Sequence, residues 1–297
     1  MEVKTNDTQS PLDMWVEENI ENIAANKFRV LESIYSKRSR FQQVDLVRTK
    51  GHGLMLFLDG LVMCSERDEF VYHDMITHVP MFVHPDPRRV LIIGGGDGGT
   101  AREVLRHKGV EHCTMVEIDG DVVDVCKEYF HQTSCSLGDP RLDLRIEDGV
   151  RFMAETDQKF DVVMIDSTDP IGPATPLFGE AFYKDVHRVL AEDGIAVAQG
   201  ESPFYQAQAQ QAILHNVRTA FSHTYMYNYS NLCYPGGLWS FVMATKGLDP
   251  LADFDEARVA ASGLEFQYYN PALHRGAFAL PEFQRRLYEG LVTPWRD

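Results

Sequence analysis

The chain has 297 residues, of which 44% are hydrophobic and 24% are charged, and its formal net charge is -16. This composition is typical of a folded globular protein rather than a disordered one. The acidic balance disfavours nucleic acid as a partner, because binding to a phosphate backbone needs clustered lysine and arginine, and it is compatible with a cationic substrate.

The first residues, MEVKTNDTQSPLD, contain no basic segment followed by an apolar one, so we expect no signal peptide. No apolar run reaches the length that a membrane span needs, and we expect no membrane partner. The five cysteines are odd in number and lack CxxC spacing, which indicates reduced thiols and a cytoplasmic protein. The eleven histidines show no HExxH-like spacing, so no metal is expected.

Strand-like segments dominate the chain from about Lys27 to Met63. FRVLESIYS, FQQVDLVRT and GLMLFLDGLVMCS are rich in β-branched, aromatic and leucine residues, and the turn signals KG and DG separate them. They predict a small antiparallel β-domain, to which we assign residues 1–66. ERDEFVYHDMITHVPMFVH then has apolar residues at helical spacing and predicts a helix that ends before Pro85.

Strands and helices alternate from Arg89 onward. RVLIIGGGDGGTAREVLRH predicts a strand, a glycine turn and a helix, and HCTMVEID, LDLRIEDG, DVVMID and IAVAQG predict further strands. GEAFYKDVHRVLAEDG predicts a helix that ends at Gly194, and two last strands flank the YPGG turn. The alternation predicts an α/β domain over residues 67–297, built as a doubly wound sheet with helices on both faces. In such sheets, ligands bind at the carboxyl ends of the strands.

The glycine turn contains Gly94, Gly96 and Gly99 in GxGxxG spacing, between a predicted strand and a predicted helix. Glu117 lies at the end of the next strand, where an acid can accept hydrogen bonds from both hydroxyls of a ribose. The pattern therefore predicts a nucleotide site. The alternative is a tight turn between strand and helix, with Glu117 as a surface residue.

Asp97 lies inside this glycine loop and disfavours a dinucleotide, because a carboxylate would repel a pyrophosphate. The loop is better suited to a neutral or cationic group, such as the sulfonium side of an S-adenosyl compound. Asp148 and Gly149 end the third strand, where an acid could contact adenine. Asp148 could equally be a helix N-cap, which aspartate favours.

Asp166 and Asp169 are two carboxylates in the stretch IDSTDPIGPA, at the end of a predicted buried strand. Neighbouring carboxylates repel each other unless a cation or a proton lies between them. The pair therefore predicts a site for a cationic ligand. The alternative is ordinary turn chemistry, because Asp, Ser and Thr are common before proline.

A series of motifs gives the chain a resemblance to a known family. In chain order they are LDG, ERDEFVYHDM, THVP, LIIGGGDGG, MVEID, DPRLDL, EDG, DSTDPIGPA, YPGGLW and YYNPALHRGAFALP. From about Trp15 to Gly290 the chain resembles the spermidine synthase family of polyamine aminopropyltransferases. The resemblance implies an N-terminal β-domain, a Rossmann-like catalytic domain of the class I methyltransferase-like type, and a homodimer or homotetramer.

The reaction that the resemblance implies moves an aminopropyl group from decarboxylated S-adenosylmethionine, a co-substrate, to putrescine, with no cofactor. It implies donor-binding residues at Gln42, Asp97, Glu117, Asp148, Gly149 and Pro173. It implies amine-binding residues at Tyr72, His73, Asp166, Asp169, Gln199 and Tyr234. Asp166 matches the catalytic acid of the family. The stretch LCYPGG departs from the usual Pro-Thr-Tyr-Pro-Ser-Gly and leaves the acceptor amine open.

The chemistry of the amine fits these assignments. A primary alkylamine has a pKa of about 10, so it is protonated at neutral pH and cannot attack until it loses a proton. Asp166 is suited to be the general base, and Asp169 to hold positive charge on the same acceptor. The methylenes of the acceptor would lie along Tyr72, Tyr234 and Trp239. The segment GPATPLFGEAF is expected to close over the site.

Three other functions stay open on the sequence alone. The first is an S-adenosylmethionine-dependent amine N-methyltransferase, such as putrescine N-methyltransferase, on the same fold. The second is an NAD-dependent dehydrogenase, which GxGxxG alone suggests. The third is a non-catalytic polyamine-binding or dimerisation module. Among aminopropyl acceptors, cadaverine, agmatine and spermidine remain alternatives to putrescine.

Overall fold

A computed structural model describes residues 13–20 and 22–294 of the chain, apart from the side chain of Pro173. The segment MEVKTNDTQSPL, on which the expectation of no signal peptide mainly rests, lies outside the described residues. The chain divides into two compact units, Met1–Arg67 and Asp68–Asp297.

The first unit is a five-stranded antiparallel sheet whose strands neighbour one another in chain order. The strands are β1 (Met14–Ile20), β2 (Ala24–Arg38), β3 (Gln43–Thr49), β4 (Gly53–Leu58) and β5 (Leu61–Ser65). Val44 and Leu46 are fully buried on one face of this sheet, and Leu56 lies opposite Leu46 on the same face. The antiparallel prediction is confirmed, but β1 and the first residues of β2 were not predicted. Their sequence, MWVEENI and AANK, carries charged or small residues where β-branched ones would signal a strand.

The second unit contains a seven-stranded sheet in the order β11-β12-β10-β9-β6-β7-β8. Its strands are β6 (Arg89–Gly94), β7 (His112–Glu117), β8 (Leu142–Ile146), β9 (Phe160–Asp166), β10 (Leu190–Gln199), β11 (His223–Ser230) and β12 (Leu238–Thr245). Strands β6 to β10 pair in parallel, whereas β12 pairs antiparallel with both β10 and β11. The predicted doubly wound α/β fold with an N-terminal antiparallel β-domain is confirmed.

Helices precede, connect or follow these strands. They are α1 (Glu69–Val83), α2 (Gly99–Arg106), α3 (Gly120–Tyr129), α4 (His131–Ser134), α5 (Gly149–Glu155), α6 (Glu180–Val189), α7 (Ala207–Arg218), α8 (Glu256–Ser262), α9 (Pro271–Ala277) and α10 (Glu282–Leu287), with a 3-10 helix at Gly172–Phe178. No described helix is both long and apolar enough to cross a membrane.

The sheet of the second unit is buried on both faces, because successive side chains of a strand point to opposite sides. In β6, Ile92 packs into one hydrophobic cluster with Met164 of β9, while Leu91 and Ile93 pack into the other. These side chains are at most 1% exposed. Burial on both faces explains why the central strands read as continuous apolar runs rather than as alternating patterns.

The prediction of a helix that ends at Gly194 was wrong at the C-terminal end. Helix α6 ends at Val189, and β10 already begins at Leu190, which pairs with Phe160 of β9. The strand register is irregular between Leu190 and Ile195. Leu190 is buried in the core, so tertiary packing overrides the helical spacing of this segment.

The chain reverses its direction of progress across the sheet between β6 and β9. From β6 it proceeds outward through β7 to β8, and it returns to the other side of β6 with β9. Ligands of open α/β sheets bind at such switch points, outside the carboxyl ends of the strands. The carboxyl ends of β6 and β9 are Gly94 and Asp166, which lie opposite each other in the parallel ladder.

Gly94→Ala tests whether this contact requires glycine. Gly94 has φ +86°, and a Cβ there would lie 2.1 Å from the carbonyl oxygen of Asp166. We expect the free energy of unfolding to fall by about 2 kcal/mol or more, from backbone strain together with the steric clash. The control is Gly109→Ala, because a Cβ at Gly109 would meet nothing within 4 Å. Equal effects of the two substitutions in denaturant titrations would contradict this account.

Candidate active site

The glycine loop is hydrogen-bonded to the end of β9. The backbone N–H of Gly95 donates to the carbonyl oxygen of Asp166 at 2.8 Å. A Cβ on Gly95 would lie 3.0 Å from Oδ2 of Asp166. The loop therefore approaches the strand end so closely that the Asp166 carboxylate lies against glycine backbone.

The Asp166 carboxylate has a defined orientation. Its Oδ1 accepts a hydrogen bond from the Tyr72 hydroxyl at 2.8 Å, and its Oδ2 accepts one from the Thr100 hydroxyl at 2.7 Å. Burial and the nearby Asp97 carboxylate raise the pKa of Asp166, while His73 and these two hydrogen bonds act in the opposite direction. A carboxylate held in this way is suited to accept a proton from a ligand.

Asp169 is half-buried and lies beside two buried polar side chains, Gln199 and Glu201. Its Oδ1 lies 3.4 Å from Nε2 of Gln199, and the same Nε2 donates to Oε1 of Glu201 at 2.8 Å. Burial raises the pKa of Asp169 to about 6. Burial also raises the pKa of Glu201, and the Asp169 carboxylate raises it further.

Sequence reasoning missed Glu201. Its side chain is fully buried, and its Oε2 has no hydrogen-bond partner within residues 13–20 and 22–294. Its backbone has φ +63°, a conformation that non-glycine residues rarely adopt. The available signal was position alone: QGES places an acid just after β10, at the same sheet edge as Asp166.

Aromatic rings line this end of the sheet. The ring centroid of Tyr72 lies 5.9 Å from that of Tyr229 and 6.2 Å from that of Tyr234. The Tyr234 centroid is 4.8 Å from that of Trp239. Asp68 holds the loop that carries Tyr234, because its Oδ2 accepts from the backbone N–H groups of residues 232 and 233. Tyr229 was not predicted, and its sequence offers no signal beyond strand propensity.

Asp97 and His73 form a pair beside Asp166. Oδ1 of Asp97 accepts from the backbone N–H of Gly99 at 2.8 Å and lies 3.4 Å from Nε2 of His73. Nδ1 of His73 lies 2.5 Å from Oε2 of Glu69. Although burial opposes it, the Asp97 and Glu69 carboxylates raise the pKa of His73 to about 10.

Glu117 ends β7 next to the glycine loop. Its Oε1 accepts from the backbone N–H of Asp119 at 2.8 Å, and a Cβ on Gly96 would lie 3.0 Å from its Oε2. Burial raises the pKa of Glu117 to about 7. The carboxylate is therefore buried against the loop, which is not the exposed position that the alternative of a surface residue requires.

The remaining predicted donor residues lie in different surroundings. Asp148 is the N-cap of α5 and accepts from the backbone N–H of Val150 at 2.8 Å, as the capping alternative predicts. Gly149 packs so closely that a Cβ would lie 2.7 Å from Cγ2 of Ile93. Gln42 lies in the first unit, between β2 and β3. Pro173 lies in the 3-10 helix, and its side chain is outside what the structure describes.

One group of described residues has the spacing of a metal site: Asp74, His78 and Glu103, whose ligand atoms lie within 4.8 Å of one another. The charged groups of this cluster already have partners within the protein. Glu103 pairs with Arg102 at 2.8 Å and also with Arg106, and Oδ2 of Asp74 accepts from three backbone N–H groups in residues 267–269. The group is therefore an internal ion-pair network that fits a divalent cation poorly.

Comparison with known proteins yields consistent matches. Residues 69–256 match the family described as the Spermine/spermidine synthase domain, and residues 14–66 match the Spermidine synthase tetramerisation domain. The polyamine aminopropyltransferase of Caldicellulosiruptor saccharolyticus is 41% identical over 278 residues, which cover 94% of this chain and 99% of that protein.

Solved structures agree with this result. A spermidine synthase in complex with the transition state analogue AdoDATO has a TM-score of 0.92 and 40% identity, and the match covers 96% of this chain and 98% of that one. The spermidine synthase of Thermotoga maritima has a TM-score of 0.89 and 40% identity, and that match covers 92% of this chain and 94% of that one.

The raised pKa of Asp169 makes the stability of the protein depend on pH. The folded state holds this proton up to about pH 6, and the unfolded state loses it near the ordinary value of 3.8, so stability falls as the pH rises between the two. Asp169→Asn should therefore increase the free energy of unfolding by about 1–2 kcal/mol near pH 8 and change it little near pH 4.

Denaturant titrations of Asp169→Asn at both pH values provide the measurement. Asp157→Asn is the control, because Asp157 is exposed, follows α5 and does not belong to the site. A gain in stability that is the same at the two pH values would show that ionisation of Asp169 is not its cause.

Proposed function

Because the chain belongs to the spermine/spermidine synthase family and is a polyamine aminopropyltransferase, we propose that it transfers the aminopropyl group of decarboxylated S-adenosylmethionine to putrescine. The products are spermidine and methylthioadenosine. The observation that carries this proposal is the group of half-buried and buried carboxylates beside tyrosine rings at the carboxyl ends of β9 and β10. Such a group matches a ligand that has cationic ends and an apolar middle.

The adenosyl donor lies along the glycine loop in this proposal. Glu117 accepts hydrogen bonds from the ribose, and residues 148 and 149 border the adenine. Asp97 faces the cationic aminopropyl chain of the donor. The likeness to a spermidine synthase in complex with the transition state analogue AdoDATO supports this arrangement.

The acceptor amine lies between two pairs of carboxylates, Asp97 with Asp166 and Asp169 with Glu201. Asp166 takes a proton from the attacking ammonium, and the freed lone pair attacks the carbon of the donor beside the sulfonium. A carbon–nitrogen bond forms, the carbon–sulfur bond breaks, and its electron pair goes to sulfur, which leaves as the neutral thioether methylthioadenosine. Asp169 and Gln199 hold the distal end of the acceptor, while Tyr72 and Tyr234 border its methylenes.

The first unit supports an oligomer, since residues 14–66 match a tetramerisation domain. We propose a homotetramer, with a homodimer as the alternative. Trp15 of β1 and Ile23 of the following turn are 53% and 71% exposed, which is consistent with an apolar surface that another copy covers. Sedimentation analysis of the purified chain measures the assembly.

The reaction is tested by mass spectrometry of products. Decarboxylated S-adenosylmethionine is incubated with putrescine, cadaverine, agmatine or spermidine, and S-adenosylmethionine is run in parallel. Spermidine and methylthioadenosine as the dominant products support the proposal. A methylated amine from S-adenosylmethionine would contradict it and would favour an N-methyltransferase instead.

Asp166→Asn tests the base. Turnover should fall on the order of a hundredfold or more, the usual scale for a general base, while donor binding persists. Asp161→Asn is a matched control at the opposite end of the same strand, where the carboxylate accepts from the backbone N–H groups of residues 88 and 89 at 2.8 Å. Near-normal turnover of Asp166→Asn would exclude Asp166 as the base.

Asp97→Asn tests the choice of donor. S-adenosylmethionine carries a carboxylate that the decarboxylated donor lacks, and two like charges about 4 Å apart repel by roughly 4 kcal/mol at an effective dielectric constant near 20. Even half of that energy gives more than tenfold discrimination. The substitution should weaken binding of the decarboxylated donor and weaken that of S-adenosylmethionine less, or strengthen it.

Calorimetric titration of both compounds into both proteins measures the ratio of affinities. Asp124→Asn, an exposed position on α3, controls for the change in net charge. An unchanged ratio in Asp97→Asn would mean that Asp97 does not select the donor.

A further inference from the structure

Glu69 is a fully buried carboxylate in the first turn of α1 that the proposed reaction does not use. Its Oε1 accepts from Nη1 of Arg102 at 2.9 Å and from Nε2 of Gln132 at 2.7 Å. Its Oε2 accepts from Nη2 of Arg102 at 2.9 Å and lies 2.5 Å from Nδ1 of His73. These contacts keep Glu69 ionised, and the pKa of Glu69 is lowered to about 2 because the His73 and Arg102 contacts outweigh burial.

The His73 ring is fixed between two carboxylates. Nδ1 faces Glu69 at 2.5 Å, and Nε2 faces Asp97 at 3.4 Å. A Cβ on Gly99 would lie 2.2 to 2.4 Å from atoms of the ring, so the imidazole rests directly on the glycine backbone. The third glycine of the GxGxxG pattern therefore provides the space for this ring.

The protonation state of His73 follows from these contacts. A neutral imidazole has one N–H donor and one acceptor nitrogen, so one of its nitrogens would present a lone pair to a carboxylate oxygen. Only the imidazolium donates from both nitrogens, towards Glu69 and Asp97 together.

We propose that Glu69 is a positioning residue that keeps His73 doubly protonated, and that this cation orients Asp97 and keeps Asp166 ionised as the base. The proposal rests on the proposed function, in which Asp97 faces the donor and Asp166 accepts the proton. Glu69 itself touches neither substrate.

The surroundings of His73 show why its charge matters. The charged and titratable groups that face it, or reach it through Glu69, are Glu69 and Tyr72 of α1, Asp97 of the glycine loop, Asp166 of β9 and Arg102 of α2. With His73 protonated, its charge lies beside both Asp97 and Asp166. With His73 neutral, these two carboxylates would repel each other with less compensation, and Asp166 would hold its proton to higher pH.

Glu69→Gln tests the proposal, because glutamine keeps the shape and removes the charge. The first measurement is a two-bond 1H–15N spectrum of the protein labelled with 15N-histidine, with the His73 signals assigned by His73→Gln. We expect both ring nitrogens to be protonated between about pH 6 and pH 8 in the parent protein, and His73 to lose a proton within or below that range in Glu69→Gln.

The second measurement is the pH profile of kcat/KM for the decarboxylated donor at saturating putrescine. We expect the acid limb to move to higher pH by roughly one unit in Glu69→Gln. His73→Gln should move the limb in the same direction, and it serves if Glu69→Gln does not fold. The double substitution should move the limb no further than either single one, because both remove the same cation.

Glu103→Gln is the matched control. Glu103 is also buried and also pairs with Arg102, but its histidine contact is to His78 at 3.1 Å. Glu103→Gln should reduce stability but leave the His73 signals and the acid limb unchanged. If the network had only a structural role, Glu69→Gln and Glu103→Gln would have the same effects on these two measurements.

Two results would overturn the proposal: a His73 nitrogen without a proton in the parent protein, or an acid limb that stays in place in both Glu69→Gln and His73→Gln. The 1H–15N spectrum is measured without turnover, so it tests the charge state of His73 independently of the proposed reaction. An enzyme with doubly protonated His73 that makes no spermidine would therefore count against the proposed reaction rather than against the charge state of His73.

Discussion

Electrostatic repulsion among carboxylates at the carboxyl edge of the seven-stranded sheet is the constraint on which this site depends. In addition to burial, the Asp97 carboxylate raises the pKa of Asp166, and the Asp169 carboxylate raises the pKa of Glu201. Charges of one sign in a poorly solvated place destabilise the fold unless protons or cations accompany them. In the proposed function the cationic amine supplies those positive charges, and the repulsion among the carboxylates favours its binding.

The fold holds this cluster together by close backbone contacts and by one buried histidine beside Asp97. Gly94 and Gly95 bring the loop after β6 against the end of β9, and Gly99 makes room for His73. The His73 ring then links the loop to Glu69 of α1, and Arg102 of α2 completes the chain of alternating charge. In the proposed function, this placement keeps Asp166 as the base and Asp97 as the donor-facing carboxylate at fixed positions before any substrate binds.

The sequence predicted the features that depend on neighbouring residues. Strand ends, the glycine loop and the acids at Glu117 and Asp166 all follow from local pattern, and the structure brings them to one edge of the sheet. Other features depend on distant contacts. Glu201 comes close to Asp169 because β10 lies beside β9, and Glu69 meets Arg102 across 33 positions of the chain. For the same reason Leu190 belongs to a strand although its neighbours are typical of a helix.

The proton balance of amine binding tests this account most directly. Putrescine is titrated calorimetrically into the enzyme saturated with methylthioadenosine, near about pH 6.5, in buffers of different ionisation enthalpy. The amine stays protonated at this pH, since its pKa is about 10. Carboxylates that hold protons in the free site should lose them to solvent when ammonium groups bind, so the account predicts net proton release. Net uptake, or no exchange of protons, would contradict it.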